Sequence, residues 1–590
     1  MSVTGKSPWA VEHVSDLTKG MNVTDAPELL QKSEMINLEN IFIRNSRLNV
    51  DTGYKKFQET VHGTPRACFQ FFKTTGASEL VLITNDSFYT RDNDQWFYVS
   101  DGTSTTTSVN AIAGATSVTV ASITGFSNGD RIGIALDDGS QHQTTINAPP
   151  AAGVISFADA LPSDCTQPKP VVKAVELSGT DDDQISLVVM AAYNYLVFTN
   201  ANDNVKYYDG TAVQDVPNLP STGNCKCKAV GLFNNHLILF HTIEGGTAIP
   251  QRIRWSAAGD PTDWTSVNDA GYVDLFDSED FIITGVPIGP YVAIYRERSI
   301  YRMEYLGSAD KLFNFDEVVS GEGARSVDSV VDVGTEHIFV GNSNVYRYRG
   351  GFDLDPMSDK LYDSIFGEAG EINSNYSSRI ICIYIEELDE VWFFYPTATS
   401  TYPKKIAKIK MYNEAWTIRV LTREITGYGF FSTSTSLKWN ELVGSWAEQS
   451  WKWGGAKTLA GSPTTLLCSN TSGNQVYEYD YISNTDDGDT ISWTIETKEF
   501  YNPDTDFRTD ALIVRAKGNQ FNIYYSTDGG KNWNLWKAAT ISTDLKTHRF
   551  YKQVVANRIR FRFTGTGPGF SMVWYAIRWR PESETVDADS

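Results

Sequence analysis

Between Pro290 and Gly350 the chain holds two hairpins of one design, and that design recurs often enough to constrain the whole fold. The first runs Tyr291-Val292-Ala293-Ile294-Tyr295, turns at Arg296-Glu297-Arg298-Ser299 and returns as Ile300-Tyr301-Arg302-Met303-Glu304-Tyr305. The second runs His337-Ile338-Phe339-Val340, turns at Gly341-Asn342-Ser343-Asn344 and returns as Val345-Tyr346-Arg347-Tyr348-Arg349. Short apolar runs answered by alternating aromatic and polar residues across a polar turn read as paired β-strands. Related phrases begin at Leu80, Leu196, Leu237, Ile380 and Leu466, and starts at 196, 237, 292, 338 and 381 lie 41, 55, 46 and 43 residues apart. A period of this size, with about four short strands per unit, predicts an all-β chain built on a β-propeller of about 6 to 8 blades. A large β-sandwich, or a series of them, is the alternative, because it also spaces short strands evenly.

The chain of 590 residues exceeds what one hydrophobic core usually supports, so several units are expected. Aromatic residues make up 13% of it, which suits half-buried pleated surfaces. A net charge of -22 argues against gripping nucleic acid with the whole surface, since that affinity comes from Lys and Arg on phosphates. No signal-peptide pattern and no apolar run of membrane-spanning length is present, so synthesis in the cytoplasm without a membrane span is expected. The six cysteines are too scattered for a disulfide framework, and Cys225-Lys226-Cys227 has no second pair at zinc-site spacing; structural thiols are expected.

Taken in order, residues 1–60 read as an extended arm and first strands, with one brief helix expected from Pro27 to Met35. Such an arm can lie across a neighbouring subunit or cap the first blade. Residues 61–100 and 174–485 carry the propeller repeats, interrupted at 101–173 by a small β-module rich in Thr, Ser and Gly and bounded by Pro168-Lys169-Pro170. The Trp- and Gly-rich stretch Ser432 to Gly461 reads either as a long loop or as an outer blade. Residues 486–580 break the period and predict an antiparallel β-sandwich, followed by an acidic tail at 581–590.

Few residues point to chemistry. Ser526-Thr527-Asp528-Gly529-Gly530-Lys531-Asn532-Trp533 resembles the Asp box of sialidases, where the motif is a structural hairpin; Ser526, Asp528, Gly530 and Trp533 are its expected members. The carboxylates Asp181, Asp182 and Asp183, those of Glu386, Glu387 and Glu390, and Asp486 to Asp489 fall where turns are expected and read as solvated. No His-Glu-x-x-His, Gly-x-Ser-x-Gly or phosphate-loop pattern is found, so no catalytic residue, metal ligand or cofactor is expected.

Several phrases together resemble a family. They are Gly20-Met21-Asn22, the run Arg254-Trp255-Ser256-Ala257-Ala258-Gly259-Asp260-Pro261-Thr262-Asp263-Trp264, Asp280-Phe281-Ile282-Ile283-Thr284-Gly285, Tyr295-Arg296-Glu297-Arg298-Ser299-Ile300-Tyr301, and Asp332-Val333-Gly334. In this order they resemble the tail hub or nozzle proteins of short-tailed bacteriophages, relatives of the packaged-DNA stabilisation proteins and, more distantly, of tail tubular protein B. The resemblance implies a non-enzymatic virion subunit, assembled in the bacterial cytoplasm into a homohexameric ring. That ring would extend the DNA channel below portal and adaptor, beside tail fibre or tip proteins, and help retain and then release the genome. DNA would pass without specific binding, with Asp181 to Asp183 and Glu386, Glu387 and Glu390 as candidate channel-lining turns. The alternative is a glycan-binding or sialidase-like propeller, for which Arg252, Arg254, Arg296, Arg298 and Arg325 are the candidate arginines.

Overall fold

The computed structural model describes residues 9–582, except 58, 93, 309–310, 368–369, 433–462, 481–482, 484 and 568. The expected long loop from Ser432 therefore lies outside the described residues beyond Ser432 itself, as does the tail beyond Glu582. The fold is all-β. Its largest part is a succession of seven four-stranded antiparallel units, spanning 65–98, 186–215, 225–274, 282–320, 330–356, 381–420 and 427–480, the last completed by Gly53–Lys56; the first and last join in one sheet by a parallel bridge between Ala67 and Tyr428, and the sixth joins the strand Met35–Glu39 at Ile418.

Alternation explains why the hairpin at 291–305 is apolar almost throughout. Successive side chains on a strand point to opposite faces, and here each face meets a different sheet. Val292, Ile294, Tyr301 and Met303 pack with Ile238, Phe240 and Ile253 of the third sheet. Ala293, Tyr295 and Ile300 pack with Phe339 and Tyr348 of the fifth. The same holds around the molecule. Phe88 meets Phe198 between sheets one and two, Val197 meets Leu239 between two and three, and Trp392 meets Tyr479 between six and seven. Val340 shares a core with Phe393, joining sheets five and six, and Leu82 shares one with Leu466, returning the seventh sheet onto the first. The stack of sheets is a closed circle. Closure is also covalently offset: Gly53–Lys56, from near the chain start, pairs antiparallel with Gln475–Asp480 as the outer strand of the last sheet.

The module at 101–173 has its own core, including Val118, Ile132, Ile155 and Val171, and its first and last strands, Ser100–Thr106 and Pro170–Ala174, pair with each other. It leaves the chain after Gln95–Tyr98, the exposed edge of sheet one, and covers that edge with side chains. Gln141 accepts from the Tyr98 N–H at 2.7 Å and donates to the Tyr98 carbonyl at 3.3 Å, while Gln143 donates to the Trp96 carbonyl. Glutamine amides thus stand in for the strand that an open edge would otherwise recruit.

The C-terminal body is a two-sheet sandwich, and the chain start is part of it. One sheet orders Ile41–Arg44, Arg47–Val50, Ser571–Pro581, Phe507–Lys517 and Lys546–Ala556, with Ala10–Val14 also on Ser571–Pro581; the other orders Met35–Glu39, Ser492–Thr497, Arg558–Thr566, Gln520–Ser526 and Asn534–Thr540. Residues 10–50 are thus neither an arm across a neighbour nor a cap on the first sheet, because Leu38, Ile41, Ile43 and Leu48 bury in the same core as Leu512, Phe561 and Tyr575. The helix expected from Pro27 to Met35 is replaced by turns ending in the strand Met35–Glu39. Leu30 buries there while Leu29 stays exposed, so the turns give the core one leucine and not the apolar stripe that would hold a helix this short.

Sandwich and circle are welded by a buried ion cluster. Lys408 of the sixth sheet donates to Asp51 at 2.6 Å, Tyr479 of the seventh donates to the other Asp51 oxygen at 2.9 Å, and Arg419 donates to Asp486 at 2.5 Å and to Asn40 at 2.9 Å. Asn40 also accepts from the Val420 N–H and donates to the Ser492 carbonyl in the sandwich. Burial pushes the Asp51 carboxyl up, but the charges of Lys408 and Arg419 outweigh it and hold the group below the usual carboxylate range. Asp486 stays above that range because burial dominates. Removing one partner from such a cluster leaves an uncompensated charge, so Arg419→Met is expected to lower unfolding free energy by about 3–5 kcal/mol. Urea unfolding checks this, and an unchanged midpoint would refute it.

Candidate functional site

The first strands of sheets one to four and seven, with the turn before sheet five, line a cavity of about 820 Å³ whose walls include Arg66, Gln70, Leu187, Leu232, Thr284, Val286, Asp328, Tyr428 and Phe430. The polar groups are few. Arg66 is buried, donates one Nη2 hydrogen to the Asp183 carbonyl at 2.9 Å, and leaves Nε and Nη1 without a hydrogen-bond partner. Asp328 sits in the turn Val327–Ser329, where its N–H donates to Gln184 at 2.8 Å and the Ser326 hydroxyl anchors the turn on the Ile380 carbonyl. Asp328 is half-buried, with part of its surface on the cavity. Burial pushes its carboxyl up to about 7, against the opposing charge of Arg66.

The candidate acidic turns do not form one lining. Asp181 and Asp182 are exposed before the first strand of sheet two, Asp182 pairs with Arg379 at 2.7 Å, and Asp183 accepts from Thr180 and Asn202. Glu386 and Glu387 are exposed past the end of the first strand of sheet six. Glu390 is a correction. Its carboxylate is buried, accepts from the Trp392 indole N–H at 2.9 Å and pairs with Lys410 at 3.4 Å, because its strand position points it inward.

The Asp-box hairpin lies on the sandwich. The Ser526 hydroxyl donates to Asp528 at 2.7 Å and accepts from the Gly530 N–H at 2.9 Å. The Asn532 N–H, the Ser526 hydroxyl and the Asn532 amide hold the Asp528 carboxyl well below the usual range. Gly530 has φ +84°, and a Cβ there would strike the Arg560 guanidinium, so only glycine fits. Trp533, the last member of the motif, does not reach the core. It is half-buried, with the Arg562 guanidinium 3.8 Å from its ring centroid, and the buried tryptophan is Trp536, three residues on, against Phe561.

The arginines proposed for sialic acid are engaged separately. Arg252 and Arg254 share Glu244, Arg252 also binds Asp274, and Arg325 donates to the Gly341 and Asn342 carbonyls. Arg296 is fully buried and donates to the Ser278 carbonyl at 3.3 Å and to the Asp280 carbonyl; Asp280 in turn accepts from the Ser299 hydroxyl at 2.6 Å and the Arg298 N–H at 3.0 Å. Two of the phrases that carry the family resemblance, 280–285 and 295–301, are therefore one packed network. A Cβ on Gly285 would come 2.2 Å from the Phe240 ring, and Gly20 packs against the Trp416 backbone with φ +73°. All six cysteines are free and buried, with Cys225 and Cys227 in the core between sheets two and three. Among the described residues no group of three His, Cys, Asp or Glu side chains is placed to hold a metal ion, and no helix is long and apolar enough to cross a membrane.

The class these features define is an all-β protein whose sheets close around a central cavity. No family model and no curated protein matches the chain. Among solved structures it is similar to PorZ, described as an essential bacterial surface component of the type-IX secretion system of Porphyromonas gingivalis, at 8% identity and TM-score 0.31, covering 82% of this chain and 46% of that one. The chain thus spans under half the length of PorZ. It is also similar to an exo-β-1,3-galactanase from Phanerochaete chrysosporium, at 8% identity and TM-score 0.26, covering 68% of this chain and 96% of that one, and to the CNH domain of AfRom2, at 9% identity and TM-score 0.25, covering 50% and 94%. At these scores the likenesses carry no argument about function.

Two outcomes are expected from this geometry. Asp328 holds its proton in the native state from its ordinary value of 3.8 up to about 7, so its contribution to stability falls as pH rises through that window and is flat above it. In Asp328→Asn that decline should be absent from urea midpoints measured across the same range, and an identical pH profile would refute the assignment. In the hairpin, Trp536→Ala should cost about 3–5 kcal/mol, as large aromatic truncations in a core do. Trp533→Ala and Asp528→Ala should cost clearly less by the same thermal unfolding, and equal losses would show the core placement to be wrong.

Proposed function

We propose that the closed circle of seven sheets is a seven-bladed β-propeller. We propose also that the chain is a structural, non-enzymatic subunit of a short-tailed bacteriophage tail, assembled in the host cytoplasm. In this reading it is a nozzle or hub protein that forms a homohexameric ring, extends the DNA channel below portal and adaptor, and helps retain and then release the genome. The observation that supports it most is what the family-like phrases do. Asp280 to Gly285 and Tyr295 to Tyr301 spend their polar groups on each other through Arg296, Asp280 and Ser299, and Gly20-Met21 binds the Trp416 backbone. Residues shared with a scaffold family are expected to fix sheets and turns, and Arg296, Asp280 and Ser299 do so through their mutual hydrogen bonds even though Asp280 and Ser299 also border a surface cleft.

Mass photometry of the purified chain, alone and with a portal–adaptor complex, tests the reading. The expected result is a hexamer that caps the adaptor. A chain that remains a single copy in both conditions would overturn it, and strong, selective signal on a glycan array would put a glycan-directed role in its place.

A further inference from the structure

The net charge of -22 conceals a division. Residues 491–580 carry fourteen Lys and Arg against seven Asp and Glu, a formal +7, so the rest of the chain stands at -29. The excess positive charge gathers on one surface of the sandwich. In the sheet of Ala10–Val14, Ser571–Pro581, Phe507–Lys517 and Lys546–Ala556, pairing sets Arg515 beside Trp574, Ile513 beside Arg549, and Ala511 beside Tyr551 and Arg578. The opposite face gives Leu512, Val514 and Tyr575 to the core, so these residues look outward. Arg578 and Arg508 have carboxylate partners in Asp510 and Glu582, but among the described residues Arg515, Lys517 and Arg549 have none. Between the charges Val11, Tyr551 and Val555 are exposed, Tyr551 at 64%, and Lys546–Ala556 is a free edge of eleven residues.

The circle of sheets carries a surface of opposite character. Phe276 and Phe281, exposed at 66% and 41%, bracket the turn 277–280 beside a cleft of about 500 Å³ whose charged lining is Glu279, Asp280, Glu297 and Glu317 with the single cation Arg298. Apolar side chains ringed by one sign of charge on each of two separate surfaces fit a head-to-tail contact, in which every copy offers both surfaces to different neighbours and the series closes as a ring. The aromatic rings of the basic face do not favour nucleic acid as the occupant. Arg578 lies 5.4 Å from the Trp9 ring and Trp574 packs tilted against His13 at 4.4 Å, so those two rings already have partners in the same chain, while Tyr551 stays exposed.

We propose that the outer face bearing Arg515, Lys517 and Arg549 is the subunit interface, docking on the Phe276–Phe281 surface of the next copy. This rests on the ring reading above. The experiment is mass photometry and sedimentation of the full chain at low and high salt, with Arg515→Glu/Arg549→Glu, Glu279→Lys/Glu297→Lys and the combination of all four; thermal melts confirm that these exposed changes leave the fold intact. The wild type should assemble at low salt and loosen as salt screens the contact. Each reversed pair should weaken association about a hundredfold or more, since like charges facing across an interface cost several kcal/mol, and the combination should restore it. A wild-type ring with reversed pairs that assemble equally well, or a combination that fails to recover, would overturn this interface and leave the ring reading standing. A wild type that stays single at all concentrations would overturn both. Binding of a duplex DNA by the wild type that Arg515→Glu/Arg549→Glu abolishes would assign the face to nucleic acid instead.

Discussion

The contact between Arg419 and Asp486, with Asn40, Asp51, Lys408 and Tyr479 around it, is where three parts of the molecule become one. Sheet six brings Lys408 and Arg419, sheet seven brings Tyr479, and the chain start brings Asn40 and Asp51. Buried ion pairs seldom add much net stability, because desolvation offsets their attraction, but they penalise every arrangement in which a charge loses its partner. Here the penalised arrangements are those in which the sandwich sits elsewhere on the circle. Asn40 shows how tightly the geometry is drawn. It adopts a left-handed φ of 56°, and its side-chain amide spans from the Ser492 carbonyl to the Val420 N–H, so one residue both turns the chain and fastens two bodies. The strand before it bridges sheet six at Glu39 and Ile418, which makes the sandwich sheet continuous with that blade-like unit.

The sequence was most legible where partners are neighbours along the chain. The hairpin at 291–305 shows its strands directly, because both faces are buried and both strands lie within one short span. Spacing alone did not tell which strand of a unit a phrase represents. The phrases at 196, 237, 292 and 338 are second strands, whereas the one at 381 is a first strand, so the last interval of the apparent period compares unlike positions. The chain start was illegible for the opposite reason. Its strands bury Leu38 and Ile43 against residues more than four hundred positions away, and no local pattern encodes such a partner. Side-chain direction was the third limit. Trp533 and Trp536, and Glu387 and Glu390, are three residues apart, and in each pair the first lies in a turn while the second sits on a strand that points it inward.

Whole-chain charge proved to be a poor guide to surface charge. Electrostatic influence fades over about 8 Å at physiological salt, so a partner feels the groups it touches and not the sum over the chain. A segment 491–580 at +7 attached to a remainder at -29 presents two different surfaces to solvent, however acidic the total.

Placing the chain start inside the C-terminal sandwich also sets a timetable. At about 5–20 residues per second, a ribosome needs roughly half a minute to two minutes to make a chain of this length. During that time Arg47–Val50 and Gly53–Lys56 have emerged, but their partners Ser571–Pro581 and Gln475–Asp480 have not. The first strands made are among the last to pair. Until then their unpaired edges and buried-to-be leucines are exposed to solvent, so the nascent chain needs chaperone cover or dilution far more than the finished protein does.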